Sequence, residues 1–169
     1  VKNDINNAEP QSIKYTFELA RFYSVEITDK DIKTKEKRTN KEDNFQEHDD
    51  WLELYNPNTK SLNLSGCFFE WNSHIWNIPN GTEIPANGYL LFWFDGEEYQ
   101  GENHASADLP NSVNTIYLKT SDGILMDEII YPATSSNSSF CRYPNGYNTF
   151  AVFDGPTPLQ NNNTTQLNE

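Results

Sequence analysis

The chain has 169 residues, with 25 acidic and 12 basic side chains and a formal net charge of −13. This length suits one large sandwich, or one domain with an appendage. The acidity disfavours a nucleic-acid-binding surface, which needs clustered Lys and Arg. No apolar run approaches the roughly 20 residues of a membrane helix, so no membrane span is predicted in this chain.

The first part of the chain predicts a lead-in, a strand region and a charged insertion. Residues 1–12 carry little apolar content and predict a disordered lead-in. From Ile13 to Ile27, β-branched and aromatic residues alternate with polar ones, which predicts strands with one buried face. Residues 29–50 hold six of the twelve basic residues among interspersed acids. An insertion of this length inside a domain is expected to be disordered, an exposed hairpin or functional.

The central part contains the densest strand signals. Residues 51–55 alternate over five positions and end at Asn56-Pro57, because Pro cannot donate to a strand ladder. Shorter apolar runs follow up to Ile78. Residues 89–94, Tyr-Leu-Leu-Phe-Trp-Phe, form a continuous apolar run, which predicts a strand buried on both faces.

The last part predicts a hairpin, two further strands and a tail. Asp122-Gly123 lies between strand-like runs at residues 115–119 and 124–131, which is a strong hairpin signal. Residues 139–143 and 150–153 are the last strand candidates. Short strands separated by Gly, Pro and Asn turns, with no competing helical window, indicate an antiparallel sandwich or barrel.

From Asp50 onward, several phrases in order resemble the lamin tail domain, an immunoglobulin-like domain of nuclear lamins that also occurs in bacterial secreted and surface proteins. The bacterial type fits best. The phrases include Asp50–Pro57 (DWLELYNP), Ile78–Leu90 (IPNGTEIPANGYL), Asp127–Pro132 (DEIIYP) and Ser139–Gly146 (SFCRYPNG). The resemblance implies an all-β fold, an immunoglobulin-like antiparallel two-sheet β-sandwich of about eight to ten strands. The predicted organisation is a lead-in at 1–12, a sandwich at 13–160 with a charged insertion at about 29–50, and a flexible tail at 161–169.

The nuclear members of this family are associated with chromatin and DNA. The present chain has no basic surface to match and no heptad rod for a filament, so these functions are not expected of it. Cys67 stands where the family commonly has an aromatic residue, and Cys141 where it commonly has Gly. A disulfide between the two is one interpretation; two buried free thiols is the favoured one.

No catalytic motif is found in the sequence. The nucleophile elbow, the His-Glu-x-x-His pair, the Walker loop and the dinucleotide glycine fingerprint are all absent. His48, His74 and His104 are expected to be solvated loop residues. The same is expected of Asp95 and the Glu97-Glu98 pair. We therefore predict that the chain is not an enzyme and has no cofactor.

Two ligand sites are further hypotheses. Asp43, Glu47, Asp49 and Asp50 form an acidic cluster that could bind calcium, although the EF-hand spacing is missing. Trp71 and Tyr99 are the aromatic residues most expected to be exposed, and they could stack on a sugar.

The predicted function is that of a noncatalytic interaction or structural module, with a carbohydrate-binding module as the alternative. The contacts would come from loops at 29–50, 72–74, 95–108 and 133–138. The partner would be an unidentified protein or glycan, not nucleic acid, and the acidity favours cationic partners. The chain starts at Val1 with Met126 as its single Met, so we expect a removed upstream signal. We predict an extracellular or cell-surface bacterial location, with a parent protein that could be lipid-anchored.

Overall fold

The computed structural model describes residues 21–26, 49–133, 138–154 and 156–162. These ranges contain eleven strands and one short 3-10 helix, at Glu98–Gln100. The strands are β1 (Arg21–Glu26), β2 (Asp50–Tyr55), β3 (Leu62–Asn63), β4 (Phe68–Trp71), β5 (His74–Asn77), β6 (Glu83–Ile84), β7 (Tyr89–Phe94), β8 (Asn114–Lys119), β9 (Leu125–Tyr131), β10 (Ser138–Arg142) and β11 (Phe150–Asp154).

The strands form two main antiparallel sheets and one small one. The five-stranded sheet has the order β11-β10-β1-β2-β7, and the four-stranded sheet has the order β5-β4-β8-β9. Strands β3 and β6 pair separately as a two-stranded sheet. The predicted immunoglobulin-like two-sheet sandwich is confirmed.

The core lies between the two main sheets because each strand alternates its side chains between faces. Inward-facing aromatic and aliphatic side chains from both sheets form one buried cluster. It includes Leu52, Leu54, Phe69, Trp71, Phe92, Phe94, Ile116, Leu118, Ile129 and Tyr131. The side of the five-stranded sheet that points away from this core, here called the outer face, carries a second buried cluster of Trp51, Leu91 and Trp93.

Most of the local strand predictions are confirmed. The hairpin around Asp122-Gly123 joins β8 to β9, with Ile116 opposite Ile129. The run at residues 89–94 is β7, and its last four side chains are buried. The described residues hold eleven strands, more than the predicted eight to ten, and β3 and β6 contribute only two residues each.

Several predictions fall on residues that the structure does not describe. They are the disordered lead-in at 1–12, the strand region before residue 21, the charged insertion up to residue 48 and the tail beyond residue 162. Within the described ranges, no helix is long and apolar enough to cross a membrane.

Candidate functional site

The candidate site is the loop at residues 95–105, which follows β7. Its first residue, Asp95, has a fully buried side chain and contacts His104, whose side chain is 4% exposed. Asp95 Oδ2 lies 2.5 Å from His104 Nδ1. The second carboxylate oxygen, Oδ1, accepts a hydrogen bond of 2.9 Å from the Glu97 backbone N–H. The pair therefore joins the two ends of the loop through one buried contact.

Backbone hydrogen bonds hold the same two ends together. The Trp93 N–H donates to the Asn103 carbonyl at 2.8 Å, and the Ala105 N–H donates to the Trp93 carbonyl at 2.7 Å. The Gly96 N–H also donates to the Ala105 carbonyl at 3.1 Å. The returning chain thus pairs with the edge of β7, and the base of the loop is fixed to the sheet.

The middle of the loop is an exposed acidic tip built around the 3-10 helix. The Tyr99 ring is 81% exposed. Its hydroxyl donates to Glu97 Oε1 at 3.0 Å. Glu98 and Glu102 are exposed, and Glu98 Oε1 accepts a 3.2 Å hydrogen bond from the indole N–H of Trp76 in the core. A rigid base therefore presents carboxylates and one aromatic ring to solvent.

A group of carboxylates lies at the base of this loop. One oxygen from each of Asp49, Asp95 and Glu97 lies within 4.8 Å of the other two, a spacing at which they could share a metal ion. Calcium takes roughly six to eight oxygen ligands, so these three would supply about half of such a site. The calcium site predicted at Asp43, Glu47, Asp49 and Asp50 stays a prediction.

Of the four residues of the predicted calcium cluster, Asp49 lies in this group of carboxylates. Asp43 and Glu47 lie outside the described residues. Asp50 is buried at the start of β2, and its charge is the second cause, after burial, that raises the pKa of Tyr131. Asp95 and Glu97 were not predicted as neighbours of Asp49. The pairing of Asp50 with Phe94 puts Asp49 and Asp95 next to each other, so the strand register was the missing signal.

Two expectations for polar loop residues are wrong. His104 and Asp95 are buried, not solvated. They are buried because the loop returns against β7 and brings His104 to Asp95, nine positions earlier in the chain. No local sequence pattern predicts this contact. His74 is exposed as expected, with its ring stacked on Trp71 at 5.5 Å between centroids. His48 is outside the described residues.

The expectation that Trp71 is exposed is also wrong. Trp71 is 1% exposed, and its ring packs edge-on against Phe94 with centroids 5.0 Å apart. Its indole N–H donates to the Asp108 carbonyl at 3.1 Å. Polar neighbours at 70 and 72 were a misleading signal, because adjacent residues of a strand point to opposite faces. Trp71 is therefore a core residue and no part of a glycan platform, whereas Tyr99 is as exposed as predicted.

Both cysteines are buried and free, as in the favoured interpretation. Cys67 lies in the core, with its sulfur 3.7 Å from the Met126 sulfur. Cys141 is on β10, where its neighbour Phe140 packs against the core, so Cys141 points to the outer face. The two thiols lie on opposite faces of the five-stranded sheet, which explains why no disulfide joins them.

Comparisons with known proteins give one match. A family model described as Lamin Tail Domain matches residues 24–133, from β1 to just after β9. No curated protein and no solved structure matches the chain.

Proposed function

The chain belongs to the lamin tail domain family, and from this premise we propose that it is a noncatalytic module that binds a partner through the 95–105 loop. The observation that carries this proposal is a loop with a fixed base and an exposed tip. A rigid scaffold that presents a loop is a common arrangement for protein recognition, because little conformational entropy is lost when the partner binds.

The partner we propose is a cationic protein segment. The tip presents the carboxylates of Glu98 and Glu102 beside the Tyr99 ring, so it offers charge and a surface for cation–π contact. Lys119 and Arg142 are ion-paired to Glu70 and Asp127, and neither of these pairs includes a residue of the tip.

A fluorescent Lys- and Arg-rich peptide titrated by anisotropy tests this proposal. The double variant Glu98→Gln/Glu102→Gln should weaken binding about tenfold, since two exposed charge pairs at about 0.7 kcal/mol each sum to about 1.4 kcal/mol. The matched control, Glu83→Gln/Glu128→Gln, removes the same charge from exposed positions on β6 and β9. An equal loss in both variants would show that only net charge matters, and the proposal would then fail.

The second candidate is a carbohydrate-binding module on the same loop. The exposed Tyr99 ring favours it, since sugars stack on aromatic faces and bond to neighbouring carboxylates. Calorimetric titration with soluble polysaccharides is the test, because buried Trp residues are poor reporters of a surface ligand. Tyr99→Ala should abolish any binding, while Tyr147→Ala, at a tyrosine 64% exposed elsewhere, should not. Binding that survives Tyr99→Ala would reject this candidate.

We also propose that the module acts at the outside of a bacterial cell. The chain resembles the bacterial secreted type of the family, and its composition is acidic and rich in Asn. Both observations support this location. Immunoblots of the culture medium and of surface-exposed protein would test it, with metabolic palmitate labelling for a lipid anchor on the parent protein. Recovery in the cytoplasmic fraction alone would contradict it.

A further inference from the structure

The segment at residues 156–162, here called the strap, follows β11 and lies on the outer face of the five-stranded sheet. The Leu159 backbone N–H donates to Glu53 Oε2 of β2 at 2.5 Å. The Tyr89 hydroxyl of β7 donates to Asn161 Oδ1 at 2.6 Å. The Glu53 side chain is fully buried, although it lies on the face that points away from the core. The strap therefore covers polar groups of the sheet itself.

The end of the strap covers a thiol. The side-chain amide of Asn162 donates to the Cys141 sulfur at 2.9 Å and to the Arg142 carbonyl at 3.1 Å. The hydroxyl of Thr157 donates to Asn162 Oδ1 at 2.6 Å, so the strap also positions its own amide. Asn162 is 8% exposed and Cys141 is fully buried. Asn162 therefore lies directly against the buried Cys141 thiol.

The contacts that hold the second half of the strap are almost all polar. Leu159 is 46% exposed, and Gln160 and Asn161 are also exposed. Hydrogen bonds that exchange for bonds to water add little net stability, and segments without apolar burial open more readily than the core. Pro156 is buried at the start of the strap and would stay as its anchor.

We propose that the strap is a cover that opens while the sandwich stays folded. Opening uncovers the Cys141 thiol and the Glu53 carboxylate together, on the outer face of the five-stranded sheet. The device is independent of the 95–105 loop.

The chemistry of Cys141 makes it a reporter of opening. Burial, then the charge of Glu53, raises the pKa of Cys141 from 9.0 to about 12, and the Asn162 hydrogen bond partly opposes this shift. The closed form thus holds very little thiolate, the nucleophilic species. Opening exposes the thiol to water and removes the main cause of the raised pKa.

The test measures the rate at which a disulfide dye, DTNB, modifies the full chain carrying Cys67→Ala, so that Cys141 alone reacts. Asn162→Ala should speed the reaction about tenfold, since it removes two hydrogen bonds that hold the closed form. The matched control, Asn111→Ala, changes an exposed asparagine after β7 and should leave the rate within about twofold.

The urea dependence of the reaction in the chain with Asn162 intact separates strap opening from global unfolding. Strap opening exposes little surface, so the rate should change weakly with urea below the unfolding transition. A rate that rises as steeply as the unfolding constant would overturn the proposal, even if the Asn162 variant failed to fold. So would a rate that Asn162→Ala leaves unchanged in a folded protein.

Discussion

His104 and Asp95 form a buried polar contact whose loss we expect to be costly. His104→Ala should lower the free energy of unfolding by about 2–4 kcal/mol, since the variant leaves a buried carboxylate short of its closest partner. The change also removes the ring that stacks on Trp93 at 6.2 Å between centroids. Urea denaturation at neutral pH measures the effect.

His74 supplies the control for this prediction. It is exposed on β5, and His74→Ala should cost less than about 1 kcal/mol. Equal losses in the two variants would show that the contact with Asp95 has no special weight in stability.

Truncation of Trp71 should destabilise the fold much more than truncation of Tyr99. Trp71→Ala leaves a large cavity against Phe94 and should destabilise the fold by about 3–5 kcal/mol. Tyr99→Ala removes an exposed ring and should stay within about 0.5 kcal/mol. Thermal unfolding followed by circular dichroism compares them. If Trp71→Ala leaves the stability unchanged, the Trp71 side chain would lie at the surface and not in the core.

The residue-scale errors share one physical cause. The sequence shows which neighbours a side chain has along the chain, but burial depends on what packs over it. Strand alternation places Trp71 inward with Phe69, and this period-two pattern was available in the sequence. The burial of His104 and Asp95 was not available, because it requires the register of β2 and β7 and the return of the loop.

The elements whose contacts are local were predictable. Strands β8 and β9 pair across a few residues, and Asp122-Gly123 supplies the turn. Strands β3 and β6 pair only two residues each, Leu62 with Ile84 and Asn63 with Glu83. Their pairing depends on contacts about 20 residues apart, so neither alternation nor turn chemistry marks it.

Substitution of Gly123 tests whether backbone conformation determines the residue at this turn of the β8–β9 hairpin. Its φ of +83° favours Gly, and a Cβ at this position would meet nothing within 4 Å. Gly123→Ala should therefore cost about 1 kcal/mol, from backbone conformation alone. Urea denaturation measures it, with Ser121→Ala in the same turn as the control. A loss above about 3 kcal/mol would show that space, not conformation, restricts this residue.

At the scale of the molecule, the family match ends before the five-stranded sheet is complete. The match reaches residue 133, whereas β10 lies between β1 and β11 in that sheet. Arg142 of β10 also bonds to Asp127 of β9 at 2.7 Å, which ties the two sheets together. Residues beyond the match therefore belong to the same sandwich.

Buried acidic groups predict how the whole molecule responds to alkali. Burial raises the pKa of Cys67 and Cys141, from 9.0 in both cases, and of Tyr131 from 10.0. The unfolded chain therefore loses these protons at a lower pH than the folded chain does. Since the folded state then binds more protons, the free energy of unfolding is unaffected below pH 9 and falls as the pH rises toward the folded-state values.

The expected fall is on the order of 1 kcal/mol per pH unit for each group that titrates in the unfolded chain alone. Urea denaturation at half-unit steps from pH 8 to 11 measures it. Tyr131→Phe removes one group and the hydrogen bond to the Pro110 carbonyl, so it should be less stable at pH 8 and lose stability less steeply above pH 10. Tyr117→Phe, at a half-buried tyrosine of β8, is the matched control for the loss of a hydroxyl. If the free energy of unfolding stays constant up to pH 11, folding does not raise the pKa values of these thiols and this phenol, and the prediction is wrong.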